Sequence, residues 1–127
     1  MKLATDLEQS KLLAKILPVE SADMYWFRDD FETPKIYPLK MMHNSASVTC
    51  PCWSLTALIN VVPSGENVDF ELTRGGYRFE EDKPLYVDEW FASYENEAKD
   101  VWITCSSDDA IDAMVDLIVK LKEKNIL

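Results

Sequence analysis

The sequence predicts an α+β fold, in which an antiparallel sheet of three to five strands packs with three or four helices. Three observations predict it. The segment 51–62 is apolar on nearly all sides, residues 68–82 alternate apolar and polar around two glycines, and residues 108–124 carry an apolar stripe at helical spacing. The length of 127 residues and an apolar fraction of 47% favour a single globular domain, 1–127.

The first helix is predicted over residues 6–17. Thr5 and Glu8 have the spacing of a capping box, in which each side chain caps a backbone N–H group of the first turn. Leucines and isoleucine follow at helical intervals, and Pro18 ends the pattern.

A central helix is predicted over residues 51–62. Pro51 suits a first helical turn, where its missing N–H group costs nothing, and Pro63 stops the helix. Because the segment is apolar nearly all round, we expect it to be buried, with Trp53 in the core.

Two further helices are predicted in the second half of the chain. Asp88 is expected to cap a helix over 88–98, in which Trp90, Phe91 and Tyr94 share one side. The last helix, 108–124, begins with acidic residues and ends with lysines, which complements the helix dipole at both ends.

The strongest strand signal is a hairpin, 68–74/77–82, with a two-residue turn at Gly75-Gly76. This register places Glu71 opposite Glu80, a repulsive pair. Shorter strands are predicted over 24–27, 85–87 and 101–105 from aromatic and β-branched residues, and residues 35–37 between two prolines are predicted as an edge strand.

The acidic charge is concentrated in the second half of the chain. Residues 1–65 carry six Lys/Arg and seven Asp/Glu, whereas residues 66–127 carry seven and sixteen, which gives net charges of −1 and −9. Such a field repels nucleic-acid phosphates and anionic lipid and attracts basic surfaces. The sequence therefore predicts no direct nucleic-acid binding and no membrane binding, and the alternative reading is a surface that only confers solubility.

Soft metal ligands are few. They are His43, Cys50, Cys52 and Cys105, with Met41 and Met42 as additions in a copper(I) variant. The spacing Cys50-Pro51-Cys52 is too short for a zinc knuckle and lacks the C-x-x-C geometry of a redox pair, so we expect free thiols, no metal and no cofactor. The remaining alternative is a thiol- or metal-dependent protein, because Cys52 at a helix start would favour thiolate.

Enzymatic motifs are not found. His43 is the only histidine, no G-x-S-x-G elbow or phosphate-binding glycine loop occurs, and the paired carboxylates are sequence neighbours on polar stretches. The sequence therefore predicts no catalytic residue. Neither a secretory signal nor a membrane span is predicted, and with an odd number of cysteines these features favour the cytoplasm.

Aromatic residues close to carboxylates are the better indication of function. Exposed aromatic rings with an acidic rim suit binding to a basic protein, and the alternatives are rings that only edge the core or a ligand pocket between sheet and central helix. The predicted interaction surface comprises Tyr77, Glu80, Glu81, Asp82, Asp88, Glu89 and Trp90.

Three segments carry a resemblance. The motif P-C-W-S-L-T-A-L at 51–58, the pair Val62-Pro63 and the terminal helix 109–121 resemble small uncharacterised proteins of phages and mobile elements of gut bacteria. This resemblance implies an accessory role and assigns no activity or catalytic residue. We therefore expect an acidic accessory protein that binds a basic partner protein, with mimicry of nucleic-acid charge as one form.

Overall fold

The computed structural model describes residues 2–28, 34–38 and 48–127, with residues 27, 28, 34–38, 48 and 49 described by backbone alone. It is an α+β fold, as predicted, with two three-stranded antiparallel sheets. The chain divides into two compact units, Lys2–Val61 and Val62–Leu127.

The first unit contains helix α1 (Leu7–Ala14), a 3-10 turn (Val19–Ser21), strands β1 (Met24–Arg28), β2 (Pro34–Pro38) and β3 (Val48–Cys52), and helix α2 (Leu55–Val61). Strand β1 lies between β2 and β3. The strand predicted over 24–27 and the edge strand predicted over 35–37 are confirmed.

Helix α1 begins at Leu7, one residue later than predicted. Asp6, and not Thr5, is the N-cap: its carboxylate accepts from the backbone N–H of Gln9 at 2.8 Å, and the Gln9 side chain accepts from the N–H of Asp6 at 3.0 Å. The helix ends at Ala14, so the predicted boundary at residue 17 is three residues too long.

The central helix is shorter than the predicted 51–62. Pro51 and Cys52 belong to β3, which is an edge strand and therefore tolerates a proline. Helix α2 begins after Ser54, whose hydroxyl accepts from the backbone N–H of Ala57 at 3.2 Å. Trp53 is fully buried, as expected, and its indole N–H donates to Ser21 Oγ at 2.9 Å.

The second unit contains strands β4 (Val68–Glu80), β5 (Lys83–Asn96) and β6 (Val101–Ser107), followed by helix α3 (Ala110–Glu123). The three strands form an antiparallel meander in which β5 is central. Helix α3 packs on β5 and β6, close to the predicted range 108–124, and Asp109 caps it by accepting from the N–H of Ile111 at 2.9 Å.

The helix predicted over 88–98 is wrong, because this segment is the second half of β5. Its burial has a period of two: Ala92, Tyr94 and Asn96 are buried, whereas Ser93 is half-buried and Glu95 is exposed. Aromatic residues favour strands, and hydrogen bonding to strands on both sides fixes the extended conformation.

The predicted hairpin 68–74/77–82 is also wrong, because the chain reverses at Glu81-Asp82. Both residues have positive φ, 50° and 62°, as in a type I′ turn. Gly75 and Gly76 lie inside β4, where the register shifts. A Cβ atom on Gly75 would fall 2.5 Å from the Tyr86 hydroxyl oxygen, and one on Gly76 would fall 2.9 Å from the Phe91 ring. The glycines therefore allow aromatic rings to lie close against the strand.

The repulsive pair expected between Glu71 and Glu80 is absent for the same reason. In the observed register Glu71 lies opposite Ser93, and Glu80 lies opposite Lys83.

Candidate interaction surface

The β4–β5 hairpin is longer than the rest of its sheet. Strand β6 pairs with β5 only between Trp90 and Asn96. Beyond the end of β6, Gly76–Glu80 of β4 pair with Lys83–Val87 of β5. We call residues 76–87 the arm. Within the described part of the chain it is a two-stranded ribbon, so both of its edges lack a third strand.

One face of the arm is aromatic. Tyr77 lies opposite Tyr86, and Phe79 lies opposite Pro84, so these four side chains share a face. The rings of Tyr77 and Tyr86 meet edge to face, with centroids 5.7 Å apart. Nevertheless Tyr77, Phe79 and Tyr86 are 66%, 73% and 59% exposed. Exposed apolar side chains that adjoin one another are typical of binding surfaces.

The tip of the arm is acidic. Glu80, Glu81 and Asp82 are all exposed. Among the described side chains, no Lys, Arg or His lies within ion-pair distance of these three carboxylates, although Lys83 follows them in the chain. The tip therefore presents negative charge to solvent.

The other predicted carboxylates lie where the arm joins the sheet, and arginines neutralise them. Arg74 Nε is 3.2 Å from Asp88 Oδ1, and Arg78 Nη2 is 3.1 Å from Glu89 Oε2. Trp90 is half-buried and lies opposite Ser107 of β6. The structure thus places four of the seven predicted residues, Tyr77 and the tip carboxylates, on the exposed arm.

Phe79, Leu85 and Tyr86 were missed by the sequence-based prediction of the surface. Leu85 is 48% exposed on the second face of the arm, and the other two belong to its aromatic face. The alternation of side chains along β4 identifies Phe79, which lies on the same face as Tyr77. The turn at Glu81-Asp82 identifies Tyr86, because it places Tyr86 opposite Tyr77.

The cysteines do not have the environment of reactive thiols. Cys50 and Cys52 are buried on one side of β3, and Cys105 is buried in β6. Burial raises the pKa of all three thiols, that of Cys52 to about 12. Since Cys52 precedes the start of α2, the expected effect of a helix terminus on its pKa does not apply. A protonated thiol is a poor nucleophile and metal ligand.

Metal binding is not indicated by the described residues, in which no three His, Cys, Asp or Glu side chains are placed so that they could hold one metal ion. His43, Met41 and Met42, named in the metal hypotheses, lie outside the described residues. An open depression of about 310 Å³ lies between the 3-10 turn and α2, and no strand residue lines it. The ligand pocket predicted between the sheet and the central helix therefore stays a prediction.

No family model, curated protein or solved structure matches this chain. Among the described helices, none combines the length and the apolar character that a membrane crossing requires.

Proposed function

We propose that this chain is a protein-binding domain and that its arm contacts a basic partner protein. The observation that carries this proposal is the aromatic face of Tyr77, Phe79 and Tyr86 next to a tip of three unpaired carboxylates. The unit that bears the arm, Val62–Leu127, also carries nine of the ten net negative charges.

The aromatic rings account for affinity. Moving a Phe side chain from water into an apolar contact is worth about 1.5–3 kcal/mol, and aromatic residues are frequent energetic hot spots of protein interfaces. The acidic tip accounts for selectivity, because complementary charge accelerates association and rejects partners of like charge.

The turn supports a role for the tip charges. Type I′ turns favour Asn-Gly or Asp-Gly, in which positive φ costs little. Here Glu81 and Asp82 occupy both positions. Aspartate tolerates positive φ, whereas glutamate disfavours it. A residue kept in a conformation that it disfavours, as Glu81 is, is typical of functional sites, and the carboxylates are the feature that Asn-Gly would lack.

The remaining parts of the proposal come from the sequence. We place the protein in the cytoplasm, as an accessory protein of a phage or mobile element that modulates host machinery. A basic partner would be bound where it otherwise contacts nucleic-acid phosphate. The acidic tip does not suit direct binding to nucleic acid, because like charges repel.

The test is capture of partners from an extract of the native cell, with elution by a salt gradient. The wild-type chain is compared with a tip variant, Glu80→Gln/Glu81→Gln/Asp82→Asn, and with an aromatic variant, Tyr77→Ala/Tyr86→Ala. A control variant, Glu66→Gln/Asp108→Asn/Glu123→Gln, removes the same charge from exposed positions outside the arm.

We expect a stoichiometric basic protein with the wild-type chain and the control, and much less of it with either arm variant. Because exposed charges are screened beyond about 10 Å at 0.1 M salt, elution should begin at moderate salt. Equal capture by all four proteins, or no partner at low salt, would refute the proposal.

A further inference from the structure

The second unit has another exposed surface, on the face of its sheet that α3 does not cover. Tyr94, Ile103 and Cys105 of the covered face are buried. Side chains on the opposite face are exposed or half-buried, and they surround an open groove of about 420 Å³. Six residues whose side chains share this face line it: Asp69, Glu71, Ser93, Glu95, Trp102 and Thr104. We call it the sheet groove.

Two adjacent rows of side chains build the sheet groove. Asp69 of β4, Glu95 of β5 and Trp102 of β6 lie side by side across the three strands. In the next row, Glu71 lies opposite Ser93, and the Ser93 and Thr104 hydroxyls are hydrogen-bonded at 3.2 Å. One end of the groove is therefore acidic and the other end aromatic, and hydroxyl groups lie beside them.

The carboxylates of the sheet groove lack compensation. Asp69 and Glu95 occupy directly opposite positions, where like charges destabilise a sheet. In the described part of the chain no cationic side chain lies within ion-pair distance of Asp69, Glu71 or Glu95. A cation at this place would remove the repulsion.

Trp102 is a second feature of this face and is independent of the carboxylates. It is 79% exposed, more than any other tryptophan described, and its ring contacts no other aromatic ring among the described residues. A tryptophan ring is the strongest aromatic partner for a cation. Exposure of such a ring to water beside Glu95 is unfavourable. The ring and the carboxylate together suit a flat cationic group, which can stack on the ring and pair with the carboxylate.

We infer that the sheet groove receives an arginine side chain from a basic segment of the partner protein. The guanidinium stacks on Trp102 and donates hydrogen bonds to the carboxylates of Glu95 and Asp69. Arginine fits better than lysine because its planar group both stacks on rings and donates to carboxylates in parallel, and because it is more weakly hydrated. This inference rests on the proposed function for the class of partner and adds a second contact surface to the arm.

The test uses a defined peptide, acetyl-Gly-Arg-Gly-Arg-Gly-amide, with a matched peptide in which citrulline replaces both arginines. Citrulline keeps the shape and removes the charge. The two peptides are titrated into the ¹⁵N-labelled full chain, and the Trp102 indole signal, identified by its loss in Trp102→Phe, is followed together with the backbone amides. Glu95→Gln and Trp102→Leu are compared with the control Glu123→Gln, which is exposed on α3.

We expect saturable shifts of the Trp102 indole and of the Ser93 and Thr104 amides with the arginine peptide alone. Glu95→Gln and Trp102→Leu should each weaken binding at least about threefold, and about 0.5 M salt should weaken it in all proteins. Equal shifts with the citrulline peptide, or unchanged binding in both groove variants, would overturn the inference.

The location of the shifts separates the two proposals. Shifts confined to Glu80, Glu81 and Asp82 would overturn the sheet groove and support the arm. Shifts confined to the sheet groove would support this inference, and the arm would then depend on the capture experiment alone. The absence of saturable shifts anywhere would count against both.

Discussion

The hydroxyl group of Thr5 joins several segments of the Lys2–Val61 unit. It accepts from the backbone N–H of Trp53 at 3.1 Å and is hydrogen-bonded to Ser10 Oγ at 2.7 Å, and both Thr5 and Ser10 are fully buried. The carbonyl oxygen of Thr5 also accepts from the indole N–H of Trp26 at 3.1 Å. The residue predicted as a helix cap is instead the centre of a buried polar network.

Replacement of Thr5 by valine keeps the shape of the side chain and removes its hydroxyl. The N–H of Trp53 then loses its acceptor inside the protein, so we expect Thr5→Val to lower the free energy of unfolding by about 1–3 kcal/mol in urea titration. Thr73→Val, at an exposed position of β4, is the control and should change stability by less than about 0.5 kcal/mol. Equal stability of the two variants would contradict the importance of the network.

The buried Cys52 thiol predicts a loss of stability in alkali. In the unfolded chain the thiol ionises near its ordinary pKa of 9.0, whereas burial in the folded protein raises the pKa to about 12. Between these values the unfolded chain releases a proton that the folded protein retains, so stability falls as pH rises, by up to about 1.4 kcal/mol per pH unit. Urea titrations at several pH values in this range should show that the free energy of unfolding falls less steeply with pH for Cys52→Ala than for the wild-type chain. An identical slope would assign the effect to other groups.

Local sequence patterns correctly predicted those helices and strands whose conformation depends mainly on their own residues. The helix over 108–124 and the strands over 24–27 and 101–105 were found because one apolar period or a β-favouring composition dominates each of them. The aromatic residues of segment 88–98 fit the period of a helix as well as that of a strand. Pairing with β4 and β6 makes the segment a strand. The close approach of Tyr86 and Phe91 to Gly75-Gly76 is a tertiary contact that no local pattern records. The tip carboxylates and Tyr77 were therefore predicted, but Phe79 and Tyr86, which complete the aromatic face, were not.

The turn of the arm allows stability and binding to be separated. In the variant Glu81→Asn/Asp82→Gly, the residues most favoured in a type I′ turn replace a glutamate that disfavours positive φ and an aspartate that tolerates it, so we expect the free energy of unfolding to rise by roughly 1 kcal/mol. The same change removes two charges from the tip, and partner capture should decrease. Circular dichroism with urea measures the first effect, and the capture experiment measures the second, with Glu66→Gln/Glu123→Gln as the charge-matched control. A variant that is more stable and binds as well as the wild-type chain would show that the charges of Glu81 and Asp82 are not needed for the interaction.

The boundary between the nearly neutral and the acidic part of the chain coincides with the boundary between the two compact units. The unit Val62–Leu127 carries seven cationic and sixteen anionic side chains, whereas Lys2–Val61 is nearly balanced. Dense charge of one sign favours solubility and attracts basic partners, but it destabilises the compact state through repulsion. The arm and the sheet groove both lie in the unit that this repulsion destabilises.

Salt should therefore stabilise the second unit more than the first. Raising sodium chloride from about 0.02 to 0.5 M shortens the Debye length from roughly 20 to 4 Å and weakens repulsion among exposed carboxylates. We expect backbone amides of β5 to exchange with deuterium more slowly at high salt, with a smaller change for α1, which serves as the internal control. The melting temperature should rise over the same range. If β5 and α1 respond equally, the ions act on folding in general, and repulsion within the acidic unit does not limit its stability.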